Sequence, residues 1–119
     1  MNIQHTKLQN GGWQKLSLME QLANVGSEVE RAIKWKNKNN PEYSQLAFFR
    51  VLELLDFSLV DKKNISRLSE ITRLREVLVD YFFGKNIYAS SDEKWQRYFY
   101  NFTFASRAAS YVIGSNTIQ

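Results

Sequence analysis

Apolar residues recur at helical spacing along four stretches of the chain, with polar breaks between them. The clearest stretch is Leu68 to Gly84. With successive residues turning by about 100°, Leu68, Ile71, Leu74, Leu78 and Phe82 fall on one stripe, the pattern of a core-facing helix. Gly84 follows as the left-handed residue expected to stop it. The rest of the chain is expected to be organised around this helix.

The other stretches carry their own start signals. Ser17-Leu18-Met19-Glu20 reads as a capping box, with serine capping and glutamate reaching back. The helix it opens runs to about Lys38, with Leu18, Leu22, Val25, Val29 and Ile33 as its stripe. Gly26 inside it costs about 1 kcal/mol against alanine, so a backbone or bulky ring is expected to pack close over it. Asn37 to Pro41 is the first break, with Asn40 as N-cap and Pro41 at the first helical position. The second helix runs to about Val60. Tyr43, Leu46, Ala47, Leu52, Leu54, Leu55 and Leu59 give it more apolar surface than one narrow stripe, which predicts cover on more than one side. Asp61 to Asn64 reads as a short polar turn before a third helix from about Ile65 to Phe83. A connection of residues 85–89, held down by Tyr88, leads to a second capping box, Ser90 to Glu93, and a fourth helix over about 91–113 that Gly114 closes.

The fourth helix has two apolar sides. Trp95, Phe99, Phe102, Ala109 and Ile113 form a core stripe, and Tyr100, Phe104 and Tyr111 stand nearly opposite, beside Arg97 and Arg107. A four-helix bundle buries one side of each helix. The second stripe therefore marks an interface between copies, a stacking platform for single-stranded nucleic acid, or a surface covered by the N-terminal arm or the 85–89 connection. The interface reading assigns it to Tyr100, Phe104, Arg107 and Tyr111.

The expected architecture is all-α: an antiparallel up-down four-helix bundle over residues 13–114, preceded by a flexible arm (1–12) and followed by a polar tail (115–119). At 119 residues the chain holds one core. It contains one proline and five glycines, too few breaks for a many-turned β fold. The absence of cysteine excludes disulfides, thiol catalysis and zinc–thiolate sites, and suits a reducing cytoplasm. No apolar run approaches the roughly 20 residues that span a bilayer, and the first residues lack a signal-peptide pattern. The one histidine, His5, lies in the arm, which removes Ser-His-Asp triads and multi-histidine metal sites from the folded part. No catalytic residue, metal or cofactor is expected. A net charge of +4 permits an acidic or nucleic-acid partner without demanding one.

Two charged groups stand out. Arg31, Lys34, Lys36 and Lys38 surround Trp35 at the end of the first helix, where cations suit the helix dipole and could hold phosphate beside a stacking ring. On the third helix Arg75 sits at the edge of the stripe, either extended to the rim or held by a carboxylate, with Glu53 and Asp56 as candidates. Glu76 and Asp80 lie four apart on its other side, where like charges repel and the last turn disfavours anions. They are either solvated or held in a charge network. A carboxylate metal site from Glu76 and Asp80 with Glu28 or Glu53 is the remaining alternative.

Leu22 to Trp35, with Gly26-Ser27-Glu28-Val29, and Arg73 to Gly84 resemble an uncharacterised family of short prokaryotic helical-bundle proteins, a likeness that implies a fold but no activity. Leu74-Arg75-Glu76-Val77-Leu78-Val79-Asp80-Tyr81 is similar to the HEPN signature. That family comprises small helical bundles, often dimeric ribonucleases or partners of minimal nucleotidyltransferases. The resemblance puts Arg75 at the family's arginine and Tyr81 at its tyrosine. Asp80 stands where a histidine belongs and Glu76 replaces a polar neighbour, and an aspartate with pKa about 4 is a poor general acid at neutral pH. The function expected first is a non-enzymatic protein-interaction module that self-associates. The alternative is a HEPN-like RNA-binding module using Arg75, Glu76 and Asp80, with Lys34, Trp35 and Lys36 as an added basic patch.

Overall fold

The computed structural model describes the backbone of residues 11–118 and the side chains of residues 11–105. A short 3-10 turn, Trp13–Lys15, leads into α1 (Leu18–Asn37) and α2 (Pro41–Leu59). A second 3-10 segment, Lys62–Arg67, precedes α3 (Leu68–Phe83), and α4 spans Asp92–Ile118. The described residues contain no strand, and the chain is all-α as its periodicity predicts.

Local chemistry sets most of the helix ends. Ser17 Oγ accepts the Glu20 N–H and the Glu20 carboxylate accepts the Ser17 N–H, both at 3.1 Å, completing the first capping box. Asn40 Oδ1 accepts the Tyr43 N–H at 3.0 Å, with Pro41 at the first helical position. Four ends differ from expectation. The third α-helix starts at Leu68 rather than Ile65, because Asp61 caps a 3-10 segment by accepting the Lys63 N–H at 3.2 Å. The expected box from Ser90 to Glu93 is replaced by a single cap: Ser91 Oγ accepts the Lys94 N–H at 3.2 Å, while the Ser90 N–H goes to Asn86 Oδ1 at 2.8 Å. Gly84 is extended (φ −105°, ψ −158°) rather than left-handed. Glycine is needed there for space, since a Cβ would lie 2.9 Å from the Asp80 carbonyl oxygen. Among the described non-glycine residues, left-handed positions fall instead on Asn39, Asn86 and Ala89. The backbone of α4 continues through Gly114, where a stop was expected. His5 in the arm, and the side chains of Arg107, Ala109, Tyr111 and Ile113, lie outside the described residues.

The helix that organises the core is α1 rather than α3. It packs along both α2 and α4, while α3 packs mainly on α2. Leu22, Val25, Val29 and Ile33 are buried as expected, and Ala32 joins them. Gly26 explains how α4 comes close: a Cβ there would sit 2.7 Å from Phe99 Cβ, the overlying ring that the sequence asks for. On α2, Tyr43 and Leu46 are exposed, and Phe48 and Val51 take core positions beside Ala47, Leu54 and Leu55. Ile71, Leu74 and Leu78 from α3, with Trp95 and Phe99 from α4, complete the core.

The polar turn at Asp61–Asn64 is not a solvated loop. Trp13, 1% exposed, donates its indole N–H to Ser58 Oγ at 2.9 Å. Ser58 donates in turn to Gln21 Oε1 at 2.9 Å, and Asn64 Nδ2 donates to the same oxygen at 2.9 Å. Gln21 Nε2 donates to the Trp13 carbonyl at 3.0 Å and to Asp61 Oδ2 at 2.8 Å. Gln21, Ser58, Asp61 and Asn64 are all buried. This closed network ties the segment before α1 to the end of α2, satisfying groups whose burial alone would be costly.

Candidate functional site

The third helix holds its charges apart. Arg75 Nε donates to Asp56 Oδ1 at 2.9 Å, in a rim ion pair with one of the two α2 carboxylates considered for it. That carboxylate is more than half exposed, so the pair lies in high dielectric and contributes little to stability. Asp80 faces another way. Its two oxygens accept the backbone N–H groups of Ile87 and Tyr88 at 3.0 and 3.1 Å. Glu76 accepts the Tyr88 hydroxyl at 3.0 Å, and the Arg73 guanidinium lies 4.9 Å from the centre of the Tyr88 ring. The hydrogen bond to Glu76 leads the causes that push the Tyr88 phenol up. The Glu76–Asp80 repulsion is thus answered by backbone amides and a phenol rather than by an incoming cation. Tyr88 does hold the connection down, as its place in the sequence suggests.

Lys36 leaves the basic cluster. It donates to Asp92 Oδ1 at 2.7 Å and to the Tyr81 hydroxyl at 2.9 Å, and Tyr81 donates to the same Asp92 oxygen. Asn37 Nδ2 adds a bond to Asp92 Oδ2 at 3.2 Å. Burial alone would raise Asp92, but the bonds from Lys36, Tyr81 and Asn37 outweigh it and hold the carboxyl below its usual range. Burial likewise would lower Lys36, and its bonds to Asp92 and Tyr81 leave it above the ordinary lysine value. Burial and the bond to Asp92 raise Tyr81. The ammonium, phenol and carboxylate therefore persist across the neutral range and latch α1, α3 and α4 together. Neither Tyr81 nor Asp92 has a local sequence signal for this role, because the three residues come from separate helices.

Trp35 lies on the side of α1 that faces the start of α2, and Lys34 is exposed. The Trp35 and Tyr43 rings meet edge to face at 4.9 Å, and Lys38 Nζ lies 5.3 Å from the Trp35 ring centre. Arg31, Trp35, Tyr43, Leu46 and Arg50 line a shallow cleft of about 180 Å³. Tyr43, Leu46 and Arg50 are spaced like one helix face, a pattern visible in the sequence once Arg31, Lys34, Trp35 and Lys38 are set beside it.

On α4, Tyr100 and Phe104 are 64% and 63% exposed. Their rings are one turn apart and stack with centres 6.4 Å apart. Tyr100 also borders an open groove of about 550 Å³ between α1 and α4, floored by Gly26, Val29, Trp95 and Phe99. The residues 85–89 are engaged by Asp80 and Glu76, away from this ridge. The Trp95 indole N–H is buried without a hydrogen-bond partner among the described residues.

Among the described residues no three histidine or carboxylate side chains come together as a metal site. No described helix is long and apolar enough to cross a membrane. Comparisons of the chain with protein-family models, with curated proteins and with solved structures find no match.

Proposed function

We propose that the chain is a non-enzymatic protein-interaction module that self-associates through α4. The observation that carries this reading is the Tyr100–Phe104 pair: two large rings on one helix face, each more than 60% exposed, beside an apolar-floored groove. Aromatic residues at such a position are the usual anchors of a protein interface. A two-fold pairing would seat the ridge of one copy against the groove of the other, using the same patch twice. Arg107 and Tyr111 extend the proposed surface along the sequence. The bundle is proposed to run up and down in chain order. Support comes from pairs at matching heights: Ser44 with Ala32, Asp56 with Arg75, Phe48 with Phe82, and Glu30 with Gln96.

The HEPN-like alternative needs Arg75 and Asp80 to work on one substrate. Arg75 is engaged by Asp56 and Asp80 by the 87–88 amides, so the interaction reading is preferred. Light scattering over a concentration series tests it. The wild type should reach twice the monomer mass, and Tyr100→Glu with Phe104→Glu should stay monomeric with unchanged helical circular dichroism. A wild type that is monomeric at the highest concentration overturns the reading.

A further inference from the structure

We propose that the cleft between α1 and α2 binds single-stranded nucleic acid, stacking a base on the Trp35–Tyr43 pair and holding the flanking phosphates with Arg31, Lys34, Lys38 and Arg50. This goes beyond self-association and uses a different surface.

The argument starts from helix geometry. Arg31, Lys34 and Trp35 lie three and four residues apart on one face of α1, and Lys38, the residue that caps the helix, follows seven residues after Arg31. Tyr43, Leu46 and Arg50 likewise share one face of α2, and the two faces meet at the cleft. Arg31 and Arg50 line the cleft with the two aromatic rings, Lys38 Nζ lies 5.3 Å from the Trp35 ring centre, and Lys34 stands exposed at the edge of the same helix face. The cluster is open to solvent: Tyr43 is 49% exposed and Leu46 43%, while Lys34 and Lys38 are exposed. An exposed tyrosine and leucine amid cations are poor packing but a ready stacking surface.

One of the four cations is paired: Arg31 Nη1 donates to both Glu28 oxygens, at 3.3 and 3.5 Å. Among the described residues Lys34, Lys38 and Arg50 have no ion pair. This differs from Lys36, Lys63, Arg67 and Arg75, which are each paired with a carboxylate. The charge complementary to this face is a row of anions, and the exposed rings ask for planar apolar groups between them. A single strand supplies both, since each base offers a π-face and each linkage a phosphate. An acidic peptide supplies the charge without the stacking partner.

The test is fluorescence anisotropy of a labelled uridine dodecamer RNA with the full chain. Binding should weaken with salt at a log–log slope of about −2 to −3, the value for three or four phosphates neutralised on a single strand. Tyr43→Ala, at an exposed position that leaves the core intact, should weaken binding about tenfold by loss of stacking. Lys34→Glu with Lys38→Glu should abolish it. Lys15→Glu with Lys62→Glu, the same charge change at exposed positions near the other end of α1 and α2, should alter affinity less than twofold. Inorganic polyphosphate should compete weakly. The proposal is overturned if no salt-sensitive binding occurs, if the two double variants lose affinity equally, or if Tyr43→Ala binds like wild type while polyphosphate competes as well as RNA.

Discussion

Gly26 lies directly beneath Phe99, so close that a methyl group on its Cα would stand 2.7 Å from the Phe99 Cβ. That contact sets the approach of α4 to α1. Replacing Gly26 with alanine should add about 1 kcal/mol of helix propensity. The clash, however, is with an atom fixed to the α4 backbone rather than with the far end of a flexible side chain. Overpacking of this kind costs about 1–3 kcal/mol. Gly26→Ala is therefore expected to lower Tm by several degrees in thermal circular dichroism. Trimming the ring with Phe99→Leu should not rescue it, because the offending Cβ remains. A raised Tm would show that the helices can part freely.

Gln21 should be among the most sensitive polar positions. It is fully buried and links Trp13, Ser58, Asp61 and Asn64. Gln21→Leu preserves approximate volume but strips partners from buried groups. Each unsatisfied group costs about 1–3 kcal/mol. A loss of about 2–4 kcal/mol is expected in urea denaturation, with an unchanged m-value. A near-neutral result would mean that water replaces the glutamine.

Two carboxylates make the fold acid-sensitive. Burial would raise Asp61, but bonds from the Lys63 ammonium, Gln21 and the Lys63 amide hold it below its usual range. Asp92 is lowered by its latch with Lys36 and Tyr81. A carboxyl whose folded pKa is depressed stabilises the fold above its unfolded pKa, and that contribution vanishes as pH falls through the folded value. Stability should hold through the neutral range and decline below about pH 4, the unfolded aspartate value. Asp92→Asn should flatten part of this acid limb. Lys36 and Tyr81, both raised, produce the opposite limb, with stability falling as pH climbs above about 10. Denaturation midpoints measured across pH check both signs.

Asp80 secures the 86–89 connection without belonging to the core. Its oxygens accept the Ile87 and Tyr88 amides, and Tyr88 reaches back to Glu76. Asp80→Ala should speed amide exchange at Ile87 and Tyr88 by about tenfold, in line with the loss of roughly 1.4 kcal/mol of local protection, with Tm falling little. A large global loss would instead place the loop inside the cooperative unit.

The sequence by itself determined the number of helices and most of their ends. Capping at Ser17 and Asn40, the proline at 41 and the apolar spacing act within about four residues of the chain. It also carried the demand for a close neighbour over Gly26. It took Ser90 rather than Ser91 as the cap of α4, because the bond that draws the Ser90 N–H to Asn86 has no part in the capping pattern, and it read Gly84 as left-handed, because glycine serves that conformation and a close approach equally. Only the tertiary structure decided which helix is central, why Trp13 and the polar 61–64 turn are buried, and which charges meet. Trp13 finds Ser58, Lys36 finds Tyr81 and Asp92, and Asp56 takes Arg75 across 45, 45, 56 and 19 residues of chain. Arg75 and Asp80, close in sequence and joined there by a motif, have separate partners because their turns of α3 face different neighbours. Helix periodicity says which side of a segment is apolar. Which apolar side meets which is settled by shape, by small residues such as Gly26 that admit a neighbour, and by buried polar groups that accept few arrangements.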